Sequence, residues 1–444
     1  MKDGPKEQQP SRVPETAQQG GEIRARWAWV EPAVWTERML ATLETGIEGG
    51  KWFRLIDKVW SPKNLARSLR KVVAKGGSAG IDNQRASRIA QRQEQTIQKL
   101  EQELRTGQYR PQAVKRVWIP KPGSQEKRPL GVPTVRDRIV QGAVLQVIEP
   151  IFERAFAVQS YGFRPGKGGK QALRRVEELL RGGHPWVVDA DLKGYFDTIP
   201  HEGLMERVGE KIADSRVLSL IEGMLQAGVM DSIKGWQPTE QGSPQGAVIS
   251  PLLSNIYLNG LDWKMAQNGW EMVRYADDFV VLCANREQAQ KALEQISQWV
   301  EENGLKLHPT KTRLVDASQR GGFDFLGYHF ERGTKWPHKK SLDKLKDTIR
   351  IKTRRNNGRS MKAICRDLNR SLKGWFEYFK HGAPHVYESV DGYVRGRLRS
   401  ILRHQTKRKG RARAIDQRRW PNTYFSAVGL FTLRQAYAAA CRSS

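Results

Sequence analysis

The chain has only three cysteines, Cys283, Cys365 and Cys441, too far apart for a CxxC pair and too few for a disulfide framework. Structural zinc and a secreted, disulfide-stapled existence are both disfavoured. No stretch approaches the roughly eighteen consecutive apolar residues a membrane span needs, and the opening MKDGPKEQQPSRVPETAQQG has no apolar core like a signal peptide's. The expectation is a soluble intracellular protein with no membrane partner. Acidic residues are scarce: 47 Asp and Glu face 76 Lys and Arg, for a formal charge of +29 over 444 residues. That imbalance calls for a polyanionic partner. Because the charge is spread along the chain, with no single amphipathic anchor, nucleic acid fits better than an anionic membrane surface.

What is present is enough to fold. Hydrophobic residues make up 38% of the chain, including 14 Trp, which excludes wholesale disorder. Residues 1–22 are the exception, a polar Gln/Pro/Gly-rich tail expected to be disordered. The tryptophans Trp27, Trp29, Trp35 and Trp52 mix with helix formers and read as packing of short helices more than as stacking surfaces for bases. Helical patterns follow over 64–73, 86–105, 138–156 and 170–180, and extended structure over 109–120 leads into a turn at Pro122-Gly123. In the middle, three apolar runs at 186–188, 271–275 and 279–283 look like buried strands between helical segments, an α+β core.

Two acidic interruptions of those runs carry the chemistry. Arg274-Tyr275-Ala276-Asp277-Asp278-Phe279 sets two adjacent acids between apolar strands, a costly arrangement unless something compensates the charge. A strand, acid pair and strand layout supplies a hairpin turn, and magnesium is the natural compensator, a hard cation that takes carboxylate and phosphate oxygens. Val187-Val188-Asp189-Ala190-Asp191-Leu192 is a second acidic end to an apolar strand. Two such strands at one sheet edge can hold two divalent ions about 4 Å apart, the arrangement used in phosphoryl transfer. Asp189 and Asp191 share a face by period two, so spacing leaves open which of them binds metal, and either motif seen alone would read as an exposed acidic turn.

Together these residues resemble the bacterial group II intron-encoded reverse transcriptases and maturases, from about residue 60 to 435. Tyr275-Ala276-Asp277-Asp278 is similar to that family's catalytic hairpin, and the segment Asp191-Leu192-Lys193-Gly194-Tyr195-Phe196-Asp197 to its first metal-binding strand. The resemblance implies Asp191, Asp277 and Asp278 as catalytic ligands of two Mg²⁺, with the Leu192 carbonyl as a further ligand and Asp189 as secondary. It also implies that Phe196 is the gate against a ribose 2′-hydroxyl. Other blocks fall in the family's order: 75–82, 128–138, 160–166, 241–246 with 250–253, and 304–313 with 325–328. Lys121 and Arg128, flanking the Pro122-Gly123 turn, suit a triphosphate as point charge and planar fork. Gln245-Gly246 pairs an amide with a glycine that permits close approach to the backbone. With Phe196 and Lys311 these form the expected nucleotide site.

Beyond Lys335 the chain turns helical and basic: residues 335–363 hold eleven Lys or Arg against two Asp, and residues 395–419 eleven against one. Such a surface would track a phosphate backbone with salt-sensitive affinity. By resemblance this is the thumb or domain X, with RNA contacts expected at Lys373, Arg395, Arg397, Arg399, Arg403, Lys407, Arg408 and Lys409. The implied architecture is a right-hand polymerase: tail 1–22, N-terminal helical extension 23–60, fingers 61–185, a palm with an antiparallel sheet at 186–334, a thumb at 335–420, and a short ending at 421–444 without an HNH endonuclease. The implied activity is RNA-directed DNA synthesis coupled to splicing and mobility of a group II intron RNA. Template RNA, DNA primer, dNTPs and target DNA are the partners, the bacterial cytoplasm at the nucleoid the location, and a homodimer is conceivable. Rival readings are a domesticated polymerase in defence or repair and a splicing factor whose polymerase activity is dispensable.

Overall fold

The computed structural model describes residues 21–47, 49–120, 127–356, 358–407 and 414–442. The expected disordered tail therefore lies, apart from its last two residues, outside the described residues, as do Lys121, Arg128's partner turn at 122–123, Arg408 and Lys409. Among the described residues eleven strands occur: β1 Val114–Pro120, β2 Lys127–Val132, β3 Trp186–Asp191, β4 Val229–Asp231, β5 Gly235–Gln237, β6 Glu271–Tyr275, β7 Asp278–Cys283, β8 Arg313–Asp316, β9 Phe323–Phe325, β10 Tyr328–Glu331 and β11 Thr334–Pro337. They form sheets of order β2-β1-β4-β5, β6-β7-β3-β8 and β11-β10-β9. With the helices between them, this is the expected α+β class.

Two compact units emerge: Met1–Ala172 with Ala190–Val281 and Glu287–Arg313, and Leu173–Asp189 with Leu282–Arg286 and Leu314–Ser444. In the first, the helix Val135–Glu153 is almost wholly buried, and its start is written in the sequence. Thr134 Oγ1 accepts from the Asp137 N–H at 3.1 Å and donates to the Asp137 carboxylate at 2.6 Å, satisfying an orphan donor of the first turn. Gly142 on this helix lets Pro62–Lys75 come close: a Cβ there would stand 2.2 Å from Ser68 Oγ, which itself donates to the Ile139 carbonyl at 2.7 Å. The strand, turn and strand expected before residue 132 is an antiparallel pair, with Val117 opposite Leu130 and Ile119 opposite Arg128. The single helix expected over 86–105 is two, Ala86–Ala90 and Gln93–Thr106, because the chain leaves helical geometry at Arg92.

The second unit has its own core. Leu345, Ile349, Ile364, Leu368, Leu372, Tyr387, Val394, Leu398, Phe425 and Leu433 close a bundle built on Lys339–Lys352, Met361–Phe379 and His385–Gln405. The apolar i, i+3/i+4 rows of these helices face that core, as their spacing demands. The Tyr387 hydroxyl donates to the Phe379 carbonyl at 2.6 Å, and Asp391 accepts from the N–H groups of Leu433 and Arg434, both at 3.0 Å, capping the last helix. Among the described residues no helix is long and apolar enough to cross a membrane.

Candidate active site

Strands β6 and β7 are joined by the two-residue turn Ala276-Asp277. Ala276 takes a φ of +60°, the left-handed conformation that two-residue hairpins require and that side chains other than glycine's seldom adopt. Behind the turn Arg274 is fully buried against Asp262. At the neighbouring strand, Asp191 ends β3. Its carbonyl accepts from the His308 N–H at 2.7 Å, and its carboxylate meets Lys311 Nζ at 2.5 Å. Leu192 pairs with Leu307 in a bridge whose hydrogen bonds are made by the flanking residues, which turns its own carbonyl away from that partner.

Asp277 is the more sheltered acid. Burial holds its carboxyl above the usual carboxylate range, and the charge of Asp191 pushes the same way, while Arg274 and Lys311 draw it back down. Asp277, whose ionisation the neighbouring charge opposes, and Asp191, which already holds a cation, form a hard-oxygen donor set that a divalent ion fits. Among the described residues no group of three acidic, His or Cys side chains is already gathered around one ion position. Asp278 opens β7, one residue on, where strand alternation turns a side chain to the other face.

The expected nucleotide contacts are partly brought together. Phe196 packs edge-on against Tyr195 with ring centroids 5.5 Å apart, and Phe196 and Gln245 line one cavity of about 290 Å³ with Arg116, Asp197 and Gly242. The Gln245 carbonyl accepts from the Gly131 N–H at 2.7 Å, so the Gln-Gly loop runs along the free edge of β2. Gly246 has a φ of +110°, and a Cβ there would sit 2.7 Å from the Gly131 carbonyl oxygen. Only glycine fits that approach. Arg128 is exposed on β2, and Lys311 sits on Asp191, outside the residues that line the cavity.

The basic C-terminal residues divide. Lys373 and Lys407 are exposed. Arg395 is half-buried and lines a cavity of about 360 Å³ with Asp391 and Phe425. Two expected RNA contacts, Arg399 and Arg403, are corrected. Arg399 and Arg403 are each only 7% exposed. Arg399 donates to the Trp420 carbonyl at 3.0 Å and to Asn422 Oδ1 at 2.8 Å, and Arg403 pairs with Asp416 at 3.0 Å. Arg397 donates to Thr353 Oγ1 at 3.0 Å and to the Thr353 carbonyl at 2.9 Å. The reason is geometric: Arg399 and Arg403, four residues apart, share one helix face and that face is buried, whereas Arg397, two residues from Arg399, points about 200° around the helix and is only half-buried.

Sequence reasoning passed over Arg274, Asn255 and Asp262. The available signal was a charged residue inside the apolar run Met272-Val273-Arg274, where burial without a partner would be prohibitive.

Residues 119–330 match the family model described as reverse transcriptase (RNA-dependent DNA polymerase), and residues 342–420 that of the group II intron maturase-specific domain. The chain is 33% identical over 335 residues to the protein YkfC of Escherichia coli strain K12, spanning 67% of this chain and 87% of YkfC. To the group II intron-encoded protein LtrA of Lactococcus lactis subsp. cremoris it is 42% identical over 171 residues, which are 38% of this chain and 28% of LtrA. Among solved structures, the partial Cas6-RT-Cas1–Cas2 complex matches at 26% identity over 56% of this chain and 41% of that one, with a TM-score of 0.35. Reverse transcriptases as a family depend on divalent metal, and a maturase domain implies RNA binding. The chain belongs to the group II intron-encoded reverse transcriptases, RNA-directed DNA polymerases whose maturase domain serves intron splicing.

Proposed function

We propose that Asp191 and Asp277, with the Leu192 carbonyl, hold the Mg²⁺ ions of nucleotidyl transfer, two per site, and that Asp278 is the adjoining acid. The supporting observation is the approach of two carboxylates from separate chain segments: the charge of Asp191 adds to burial in holding the Asp277 carboxyl high, and Lys311 sits on Asp191. When bound, the metal makes the primer 3′-hydroxyl a better nucleophile and offsets the charge of the triphosphate. The protein's own residues bind and orient. Phe196 flanks the sugar of the incoming dNTP, where its ring leaves no room for a 2′-hydroxyl, and Gln245-Gly246 presents backbone at close range to the nascent base pair. Lys121, Arg128 and Lys311 meet phosphate oxygens. In this reading residues 61–185 are fingers, 186–334 palm and 335–420 thumb, and the partners are a group II intron RNA, an RNA template with its DNA primer, dNTPs and target DNA.

Asp277→Asn is the test. DNA synthesis on a primed RNA template is expected to fall about a thousandfold or more, while intron RNA binding stays within a few fold of the unmodified protein. Full polymerase activity in this variant would overturn the site assignment. A splicing role independent of the carboxylates is favoured by the separate maturase match over residues 342–420, and the same variant should still assist splicing.

A further inference from the structure

We infer that Arg274 is a positioning residue for DNA synthesis: from inside the protein its guanidinium locks the catalytic turn in the left-handed conformation that aims Asp277. The inference rests on the assignment of Asp277 to the active site. Arg274 Nε and Nη2 grip the two Asp262 carboxylate oxygens at 2.7 and 2.5 Å, and neither side chain is exposed at all. This bidentate grip fixes the plane of the guanidinium. The remaining nitrogen, Nη1, is thereby aimed at two acceptors: Asn255 Oδ1 at 2.9 Å and the Ala276 carbonyl at 2.8 Å. The second of these is the peptide oxygen that links Ala276 to Asp277. It belongs to the residue with a φ of +60°, so the hydrogen bond falls at the strained point of the hairpin.

A second segment closes on the same turn from another side. The Arg274 N–H donates to the Gln159 carbonyl at 2.9 Å, and the Tyr161 N–H donates to the Arg274 carbonyl at 2.8 Å. Asn255 Nδ2 donates to the Gly162 carbonyl at 2.8 Å, so one amide side chain ties Arg274 to this segment. Gly162 lies so near the turn that a Cβ on it would be 2.3 Å from the Ala276 nitrogen. Helix Ser250–Gln267 supplies Asn255 and Asp262, the segment 159–162 supplies backbone, and β6 supplies Arg274. A buried ion pair is a poor way to gain stability, because desolvation of both charges offsets most of their attraction. Its geometry here serves to fix one peptide unit beside the reacting groups.

The test separates positioning from stability. Arg274→Met alone leaves Asp262 buried and uncompensated, so its partner is replaced too, as Arg274→Met/Asp262→Leu, a swap of a buried pair for apolar side chains that is often neutral or stabilising. In the full-length double variant we expect a thermal midpoint near that of the unmodified protein. Template–primer affinity and the KM for dNTP should stay within a few fold, with kcat lower by about 10- to 100-fold, the cost of misplacing a reacting group by about an ångström. Unchanged kcat in the folded double variant would overturn the inference. Asn255→Ala, which removes one of the two acceptors that hold Nη1 and the tie to the Gly162 carbonyl without stranding a carboxylate, should lower kcat in the same direction with KM unmoved, and unchanged kcat there overturns the inference if the double variant does not fold. Asp277→Asn run alongside isolates the premise: if it keeps full activity the site assignment fails, whereas a dead Asp277→Asn beside a fully active double variant removes only the role of Arg274.

Discussion

Two regions of this molecule bury arginine–aspartate pairs to opposite ends. At the Ala276-Asp277 hairpin, Arg274 and Asp262 are both fully enclosed, and the guanidinium has a nitrogen left over that reaches the Ala276 carbonyl. In the basic helix His385–Gln405, Arg403 gives one nitrogen to both oxygens of Asp416, at 3.2 and 3.0 Å, and joins two helices of the bundle. The first pair reaches beyond itself to the turn that carries Asp277, and the second holds a bundle together. The lesson is that a buried ion pair acquires functional meaning from what its spare donors touch, since the pair itself contributes little net stability.

The sharpest way to break that comparison is to remove one partner in the second region. Arg403→Met takes the Arg403 cation from the buried Asp416 carboxylate and should destabilise the fold in chemical denaturation, by about 3–5 kcal/mol at most, with the loss regained in Arg403→Met/Asp416→Leu. RNA affinity of the double variant should be unchanged within a few fold; a large loss would return Arg403 to the RNA surface. Next in size is Gly246→Ala. The positive φ and the Gly131 carbonyl oxygen 2.7 Å from the new methyl should cost about 1–3 kcal/mol and raise the KM for dNTP. An Ala variant with unmodified stability and KM would show that the Gln-Gly loop yields freely.

A subtler effect belongs to Asp277. Its carboxyl binds a proton more readily in the folded protein than in the unfolded chain, so its ionisation above the carboxylate range opposes folding. Asp277→Asn should therefore melt at a higher temperature than the unmodified protein at pH 7. The gap should close as the pH falls through the folded and then the unfolded carboxylate pKa. An inactive variant that is also more stable would leave misfolding no part in the loss of activity. The smallest effect is expected at Lys407, exposed where Arg403 is not: Lys407→Ala should lower the slope of log affinity against log salt by about one unit at most and leave stability untouched.

Much of this was legible in the chain itself. Acids ending apolar runs marked Asp191 and the Asp277-Asp278 turn, and the helices expected at 64–73 and 170–180 are found within two residues of those bounds, as Pro62–Lys75 and Gly169–Arg181. The short strands β4 and β5 were not anticipated, since three residues each are too few for alternation to register. Nor was the break at Arg92, where both flanking segments are good helix formers and the interruption comes from packing. Arg274 was printed beside the catalytic acids, yet its partner Asp262 is twelve residues away on a different element.

The sequence by itself determined the charge balance, the order of the motifs, the family and the candidate acids, because these depend on which residues are present and on spacings of a few positions. Only the tertiary structure decided which of the arginines at 395–403 face inward, that Lys311 sits on Asp191, and that Arg274 reaches the Ala276-Asp277 turn from behind. Those outcomes depend on the direction a side chain takes around its helix or strand and on which distant segment packs against it. Both are selected by burying apolar surface and pairing every enclosed polar group over the whole fold, conditions that no local stretch of chain can satisfy alone.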